Sequence, residues 1–411
     1  MARKKNILVL TYWSYKDALI QAYTLPYLKI ISDQLPFGSK IFLVTIEQDQ
    51  QKMSIDEKCQ VKERLRLFGI RLITLKYRKL SFLSLVRWLW TGIYFIFFSF
   101  MFKIRFIHAW CTPAGSFGYL LSVFTGKKLI IDSYEPHAEA MVENETWKKN
   151  SIEYRILFYF EKKLSHHAHV IISATEEMKN YAKKKYDVTF RNFFVKPACV
   201  DLGIFSTARK KNNELIKQFK FENKIVCVYA GKFGGIYLTK EVFDFFKACE
   251  KFWGDRFRIL LLTSHNKAEI EQWCKGSLVD ESKLVIRFVS HADIPDYIGL
   301  GDFAVTPVKP IPTKRYCTPI KDGEYWALGL PVVIPSNISD DSDLIENNNA
   351  GAILRKFDTQ NYNLAIEVIN SLLCDVDPKM LSLKIRNIAL TYRNYKQAEE
   401  VYAKVYCEEI N

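Results

Sequence analysis

Short apolar runs recur along the chain, and most are followed by a stretch in which apolar residues return every three or four positions. In the first part of the sequence such runs occupy residues 7–11, 41–46, 71–76, 106–110, 128–132, 170–172 and the start of 193–205. A continuous aliphatic run bounded by polar residues is the pattern of a strand buried on both faces, and the longer return is that of a helix covering it. The second part repeats the alternation, with runs at 225–229, 258–263, 284–288, 303–306 and 332–334 and a short helix at 294–299. This alternation predicts parallel sheets with right-handed crossovers. Loops after the strands of such sheets face the ligand, which puts residues 12–17 near a site. The run 106–110 is expected to pass into a loop ending at Gly115, before a helix over 117–124. The run 128–132 is expected to empty into the loop Ser133-Tyr134-Glu135-Pro136-His137.

A charged, polar stretch over 209–222 interrupts the pattern. At 411 residues the chain is long enough for two domains with separate cores. The expected organisation is an α/β domain over 1–205, a second over 206–390, and a closing segment over 391–411 whose residues 392–406 are helical by period. No close internal repeat relates the halves.

The composition shifts over residues 80–106. Residues 88–102, WLWTGIYFIFFSFMF, carry no charge and many aromatics, with Arg87, Lys103 and Arg105 beside them. The stretch is short for a membrane span, which takes about 20 apolar residues. It reads either as a helix in the membrane interface, where aromatics with basic flanks are at home, or as a buried core helix. A formal net charge of +14 calls for an anionic partner and favours the interfacial reading. Nucleic acid would satisfy the charge as well, but no zinc-finger spacing or RNA-recognition motif accompanies it. The nine cysteines are scattered, with no CxxC pair, as expected of reduced thiols in the cytoplasm. The basic, then apolar opening MARKKNILVL has too short an apolar run for a signal peptide and fits a first strand.

Two stretches carry candidate chemistry. In residues 315–334, RYCTPIKDGEYWALGLPVVI, Thr318 is expected to cap a helix, Pro319 to sit in its first turn and Gly329 to end it. Lys321 and Glu324 then share one face near the positive end of the helix, where a diphosphate is favoured. A carboxylate one turn further in suits the hydroxyls of a ribose; a plain Lys–Glu pair along the helix is the alternative. In residues 228–240, VYAGKFGGIYLTK, an apolar run meets Gly231, Lys232, Gly234 and Gly235. Glycines there let backbone amides approach a phosphate, and Lys232 adds charge; a plain tight turn is the alternative.

These residues resemble the family 4 retaining glycosyltransferases of the GT-B fold. The likeness lies in Gly231-Lys232 with its glycines, and in Pro319-Ile320-Lys321-Asp322-Gly323-Glu324 followed by Gly329-Leu330-Pro331. The family pattern often has another glutamate eight residues before the one matched by Glu324; Tyr316 stands there in this chain. The resemblance implies two Rossmann-like domains facing a central cleft, with the last helix crossing back onto the first domain. It implies transfer of a hexosyl group from a nucleotide sugar, with retention and without metal or other cofactor. Gly231, Lys232, Gly234, Gly235, Lys321 and Glu324 would bind the donor, Lys232 and Lys321 acting on its diphosphate and Glu324 on its ribose. His137 would contact the donor sugar or acceptor, unless it is simply hydrogen-bonded in the wall. Glu135 and His108 are candidates on the acceptor side, and Glu139 is a weaker one. The implied acceptor is a glycan, polyprenyl-diphosphate-linked and met at the inner face of the plasma membrane during surface-polysaccharide assembly. A nucleotide-sugar hydrolase or epimerase of this fold, and a scaffold without turnover, are the competing readings.

Two further clusters invite a metal reading. The HHxH set of His166, His167 and His169 lies at an expected helix end, where histidine is favoured anyway. Asp341 and Asp343 form a DxD, but they open an expected helix and are explained by capping, as are Thr175-Glu176-Glu177.

Overall fold

The computed structural model describes residues 4–78, 82–290 and 292–406, with no side-chain account of 82–85. Residues 1–3 of the opening segment, part of the 80–106 stretch and Cys407 lie outside the described residues. The chain forms two compact units, one of Met1–Lys196 with Lys396–Asn411 and one of Pro197–Tyr395. The division thus falls earlier than residue 205, because the strand begun at Phe193 is short and the chain leaves it at once.

The first unit runs β1 (Asn6–Leu10), α1 (Leu25–Gln34), β2 (Ile41–Glu47), α2 (Ile55–Arg66), β3 (Ile70–Lys76), α3 (Phe82–Met101), β4 (Ile104–Trp110), α4 (Cys111–Thr125), β5 (Lys128–Tyr134), α5 (His137–Glu143), α6 (Ile152–His167), β6 (Val170–Ser173), α7 (Met178–Tyr186) and β7 (Phe193–Val195). Its seven strands are parallel in the order β3-β2-β1-β4-β5-β6-β7. The apolar runs fill this sheet as expected, since both faces are covered: Ile7, Leu8, Ile107, Ile130 and Ile131 have essentially no exposed surface.

Three local expectations change. No loop follows β4, because Cys111 turns the chain in one step with φ at 63° and α4 starts there. Ser133 and Tyr134 belong to β5, whose register shifts between Ile131 and Tyr134 as Ser133 takes φ of 51°. α7 starts at Met178 without a side-chain cap, so Thr175 does not open it. The 88–102 stretch lies in α3, neither wholly buried nor wholly exposed. Phe95, Phe98 and Ser99 face inward, and Trp90, Phe97, Phe100 and Met101 are more than half exposed. Among the described residues no helix is long and apolar enough to cross a membrane.

The second unit runs α8 (Asn213–Phe219), β8 (Ile225–Ala230), α9 (Lys240–Trp253), β9 (Phe257–Leu262), α10 (Lys267–Ser277), β10 (Leu284–Arg287), α11 (Ile294–Ile298), β11 (Phe303–Val305), α12 (Ile320–Ala327), β12 (Val332–Pro335), α13 (Asp341–Asn347), β13 (Gly351–Leu354), α14 (Thr359–Cys374) and α15 (Pro378–Tyr392). Its six parallel strands lie in the order β10-β9-β8-β11-β12-β13. The order reverses direction between β8 and β11, the switch point at which open α/β sheets take ligands.

The closing helix begins at Tyr395 rather than at residue 392. α15 stops at Tyr392, Asn394 forms a parallel bridge with Val200, and α16 (Tyr395–Tyr406) begins anew. α16 packs into the first unit: the Tyr402 hydroxyl donates to Asp132 Oδ2 at 2.7 Å, and the Tyr406 carbonyl accepts from Lys5 Nζ at 2.5 Å.

Candidate functional site

β8 ends at buried Ala230, and the glycine loop begins where Gly231 N–H donates to Leu262 O at 2.9 Å. The loop is held from several sides. The Tyr229 hydroxyl donates to Lys232 O at 2.5 Å, and Phe233 N–H donates to His265 Nε2 at 3.0 Å. Accepting through Nε2 leaves the His265 proton on Nδ1, which faces Glu269 Oε2 at 3.2 Å. Gly234 and Gly235 take φ of 76° and 59°, so the turn needs glycine for its conformation. Beyond it Leu238 N–H donates to Pro307 O and Lys309 N–H to Ile236 O, and Tyr237 bridges Val308. The Lys232 side chain is exposed at the tip.

α12 enters the same space. Thr318 does not cap it: its hydroxyl accepts from Ala198 N–H at 2.7 Å, and Pro319 occupies the N-cap rather than the first turn. No side chain caps α12, so its first-turn N–H groups remain available to an anion. Gly329, with φ of 71°, ends the helix as expected. Lys321 turns to the glycine loop, its Nζ donating to Tyr237 Oη at 3.3 Å and lying 4.8 Å from the centre of that ring. A Cβ on Gly231 would stand 2.7 Å from Lys321 Cε and 2.7 Å from Tyr229 Oη. The two stretches singled out separately in sequence are therefore in van der Waals contact. No ion pair joins Lys321 to Glu324, so the plain helix pair is not formed. Glu324 lies one turn on and half-buried; burial pushes its carboxyl up to about 7, against the pull of Lys321.

Beneath α12 lies a charged layer that sequence reasoning missed. Asp322 is fully buried, accepts from the Thr306 hydroxyl and contacts Asp341, which pairs with Arg393. Burial, with the Asp341 carboxylate beside it, pushes the Asp322 carboxyl well above the ordinary carboxylate range. The Arg393 guanidinium also lies 5.4 Å from the Trp326 ring centre. Asp341 thus faces Arg393 and does not cap α13, and Asp343 pairs with Arg315 at 2.8 Å. The DxD pattern gave no hint of Arg393, which lies in a distant part of the sequence.

The other candidates lie in the first unit. His137 is the first residue of α5, and its Nδ1 stands 3.2 Å from Glu135 Oε1; both side chains are roughly one-third exposed or less. Below them Glu161 is buried, accepting from Ala138 N–H at 2.8 Å and from the Tyr186 hydroxyl at 2.9 Å, and burial pushes its carboxyl up to about 8. Glu139 pairs with Lys185. His108 is corrected as an acceptor-side candidate, because it has no exposed surface. It stacks on Trp110 and meets Tyr406 Oη at 2.5 Å and Asp132 Oδ2 at 3.3 Å. Lys196 joins this layer, 3.3 Å from Asp132 and 3.8 Å from the Tyr27 ring centre. The HHxH residues part ways, His167 to the Ser122 hydroxyl and His166 to Tyr186 O. Among the described residues no three His, Cys, Asp or Glu stand together as a metal site.

No family model matches the sequence, and no curated protein does. Solved structures match along the whole chain. HepE of Anabaena in complex with UDP superposes with a TM-score of 0.70 at 14% identity, covering 98% of this chain and 99% of its own. A glycosyltransferase from Rickettsia africae superposes with a TM-score of 0.69 at 14% identity, covering 100% and 99%. WaaG, a glycosyltransferase involved in lipopolysaccharide biosynthesis, superposes with a TM-score of 0.68 at 13% identity, covering 98% and 99%. The fold is GT-B. At these identities the likeness speaks for the GT-B architecture alone. The same architecture is shared by a Listeria monocytogenes protein assigned as a UDP-N-acetylglucosamine 2-epimerase, with a TM-score of 0.61 at 12% identity over 98% and 96%.

Proposed function

We propose that the chain is a GT-B glycosyltransferase of the family 4 type. In this reading it moves a hexosyl group from a nucleoside-diphosphate sugar to a glycan acceptor with retention at the anomeric carbon. The observation that supports it best is the meeting of the Gly231–Lys232 loop with the uncapped start of α12 across Lys321. Lys232, Lys321 and the orphan N–H groups then receive the diphosphate, and Glu324 takes the ribose hydroxyls. Negative charge grows on the diphosphate as the C1–O bond breaks, and fixed cations there stabilise the transition state more than the ground state. The two lysines supply the charge compensation a metal would otherwise give, so the reaction is proposed to need none. The new C1–O bond forms to the acceptor hydroxyl on the same face, and the hydroxyl proton leaves on a diphosphate oxygen. The His137–Glu135 pair is the proposed contact to donor sugar or acceptor.

The basic, aromatic first unit supports a lipid-linked acceptor, polyprenyl-diphosphate-borne, and peripheral attachment to the cytoplasmic face of the membrane during surface-polysaccharide assembly. Incubation with UDP-, GDP- and ADP-hexoses and a polyprenyl-diphosphate glycan tests the reading in EDTA. Product with unchanged anomeric configuration is expected. Conversion of the nucleotide sugar without acceptor would overturn transfer in favour of the hydrolase or epimerase shared by this architecture.

A further inference from the structure

The flank of the first unit built by α3, α4 and α6 takes no part in the donor site. From Tyr77 to Ile131 the sequence contains no aspartate or glutamate, yet it holds Arg78, Lys79, Arg87, Lys103, Arg105, Lys127 and Lys128. On this flank α3 leaves Trp90 67%, Phe97 71% and Met101 66% exposed, and α4 adds Phe124 at 68%. The helices lie side by side, Trp88 against Phe117 and Tyr119 against Phe160, and α6 continues the surface with exposed Ile152, Ile156 and Tyr159. Scattered apolar residues need no explanation, but contiguous ones rimmed by charge mark an interaction surface.

At one end of this strip lies a pocket of about 850 Å³ lined by Phe100, Lys4, Lys103, Arg105, Lys127 and Lys128. The C-termini of α3 and α4 end beside it, and each offers roughly half a negative charge. Together they offset about one of five positive charges. The ion pairs of the first unit's described residues involve none of Lys4, Lys103, Arg105 and Lys127. Instead Lys127 sits 5.2 Å from the Phe100 ring centre and Arg105 5.6 Å from that of Phe106. The pocket is at the edge where β1, β4 and β5 begin, whereas Glu135 and His137 follow the other end of β5. α3 connects the two edges, its 20 residues spanning about 30 Å.

We infer that this flank lies in the headgroup layer of an anionic bilayer and that the pocket holds the phosphate of a lipid headgroup, away from the reacting edge. A second copy of the chain would oppose like charges, and nucleic acid would leave the apolar strip in water. An anionic lipid surface meets both features. The inference deepens the membrane part of the proposed function and stands apart from the donor site.

The test is sedimentation of the full chain with vesicles of phosphatidylcholine alone and of equal parts phosphatidylcholine and phosphatidylglycerol. Wild type is compared with Lys103→Gln/Arg105→Gln/Lys127→Gln, with Trp90→Ser/Phe97→Ser, and with the charge-matched control Lys275→Gln/Lys356→Gln/Lys379→Gln. Each cation at the surface is worth about fivefold in partitioning, so the pocket variant should bind mixed vesicles roughly 100-fold more weakly. The control should stay within a few-fold of wild type, and the apolar variant should lose binding to both vesicles. Equal loss in pocket variant and control would reduce the effect to net charge and overturn the pocket. Wild type that ignores vesicles but self-associates, or that binds glycerol 3-phosphate in their place, would overturn the lipid occupant. Thermal stabilisation by UDP is read on the same samples. Lost vesicle binding with that stabilisation intact counts against this inference alone, and the converse against the donor site alone.

Discussion

Gly231 carries no side chain in a place where Lys321 Cε and Tyr229 Oη already crowd the position a Cβ would take. Gly231→Ala should therefore displace Lys321 and cost a charge-assisted contact, about tenfold in UDP affinity by calorimetry, with the fold intact. Unchanged affinity would separate Lys321 from the diphosphate. Glu324 sets the pH dependence. Its carboxyl is raised to about 7, so it is mostly protonated below that pH in the empty site. Binding ribose through the carboxylate then requires loss of the proton, and UDP-hexose affinity should fall up to about tenfold per pH unit as pH drops below 7. Glu324→Gln should flatten that profile; an unaltered one would remove the ribose role. The placement of Lys321 and Glu324 on one helix was legible in the sequence because spacing along a helix is local information. The roles of Tyr237 and His265 were not, although Tyr237 lay inside a highlighted stretch. Which side chain receives Lys321, and what accepts from Phe233 N–H, depend on how separate elements pack. His108 misled for a related reason, since a histidine at a strand end reads the same whether the chain beyond it opens to solvent or is sealed by a helix.

At the level of elements, α12 is placed by what lies under it. Arg393, 2% exposed, holds Asp341 and covers Trp326, and buried Asp322, its carboxyl raised by burial, completes the layer. Breaking a buried pair strands a charge, so Arg393→Ala should lower stability by about 3–5 kcal/mol in urea unfolding. A cost within that of a surface substitution would contradict the account. α5 rests similarly on Glu161. Its folded carboxyl is raised to about 8 from an ordinary 4.5. The folded state thus holds a proton that the unfolded chain releases, and stability should decline as pH rises from about 4.5 to about 8. Glu161→Gln should remove that decline, measured as unfolding free energy across the window. Thr318 and the aspartates that open α13 show how capping rules fail locally: they match the preference, but the Thr318 hydroxyl accepts from Ala198 N–H and no side chain caps α13.

Across the whole chain, the two parallel sheets were legible because period and burial coincide: residues on strands covered from both sides have little choice but to be apolar. The places where the chain changes unit were less so. A polar stretch such as 209–222 marks an exposed segment, which need not be the point at which contacts switch. The closing helix has helical period from residue 392, and the pairing of Asn394 with Val200 and the burial of Arg393 explain why it begins at Tyr395. α3 was ambiguous in sequence because an aromatic-rich run describes a core helix and an interfacial one equally; packing gave it one face of each.

Glycosyl transfer as proposed requires that the Gly231–Lys232 loop and the start of α12 form a nucleoside-diphosphate site. Thermal unfolding of wild type, Lys321→Ala and Glu324→Gln with UDP, GDP, ADP or CMP, in EDTA, tests it most directly. At about 100 times its dissociation constant a ligand adds about 2.7 kcal/mol to stability. One nucleoside diphosphate is predicted to raise the wild-type melting temperature by several degrees and to lose most of that effect in both variants. No stabilisation by any nucleotide, or the same stabilisation in all three proteins, would contradict the donor site and the transfer built on it.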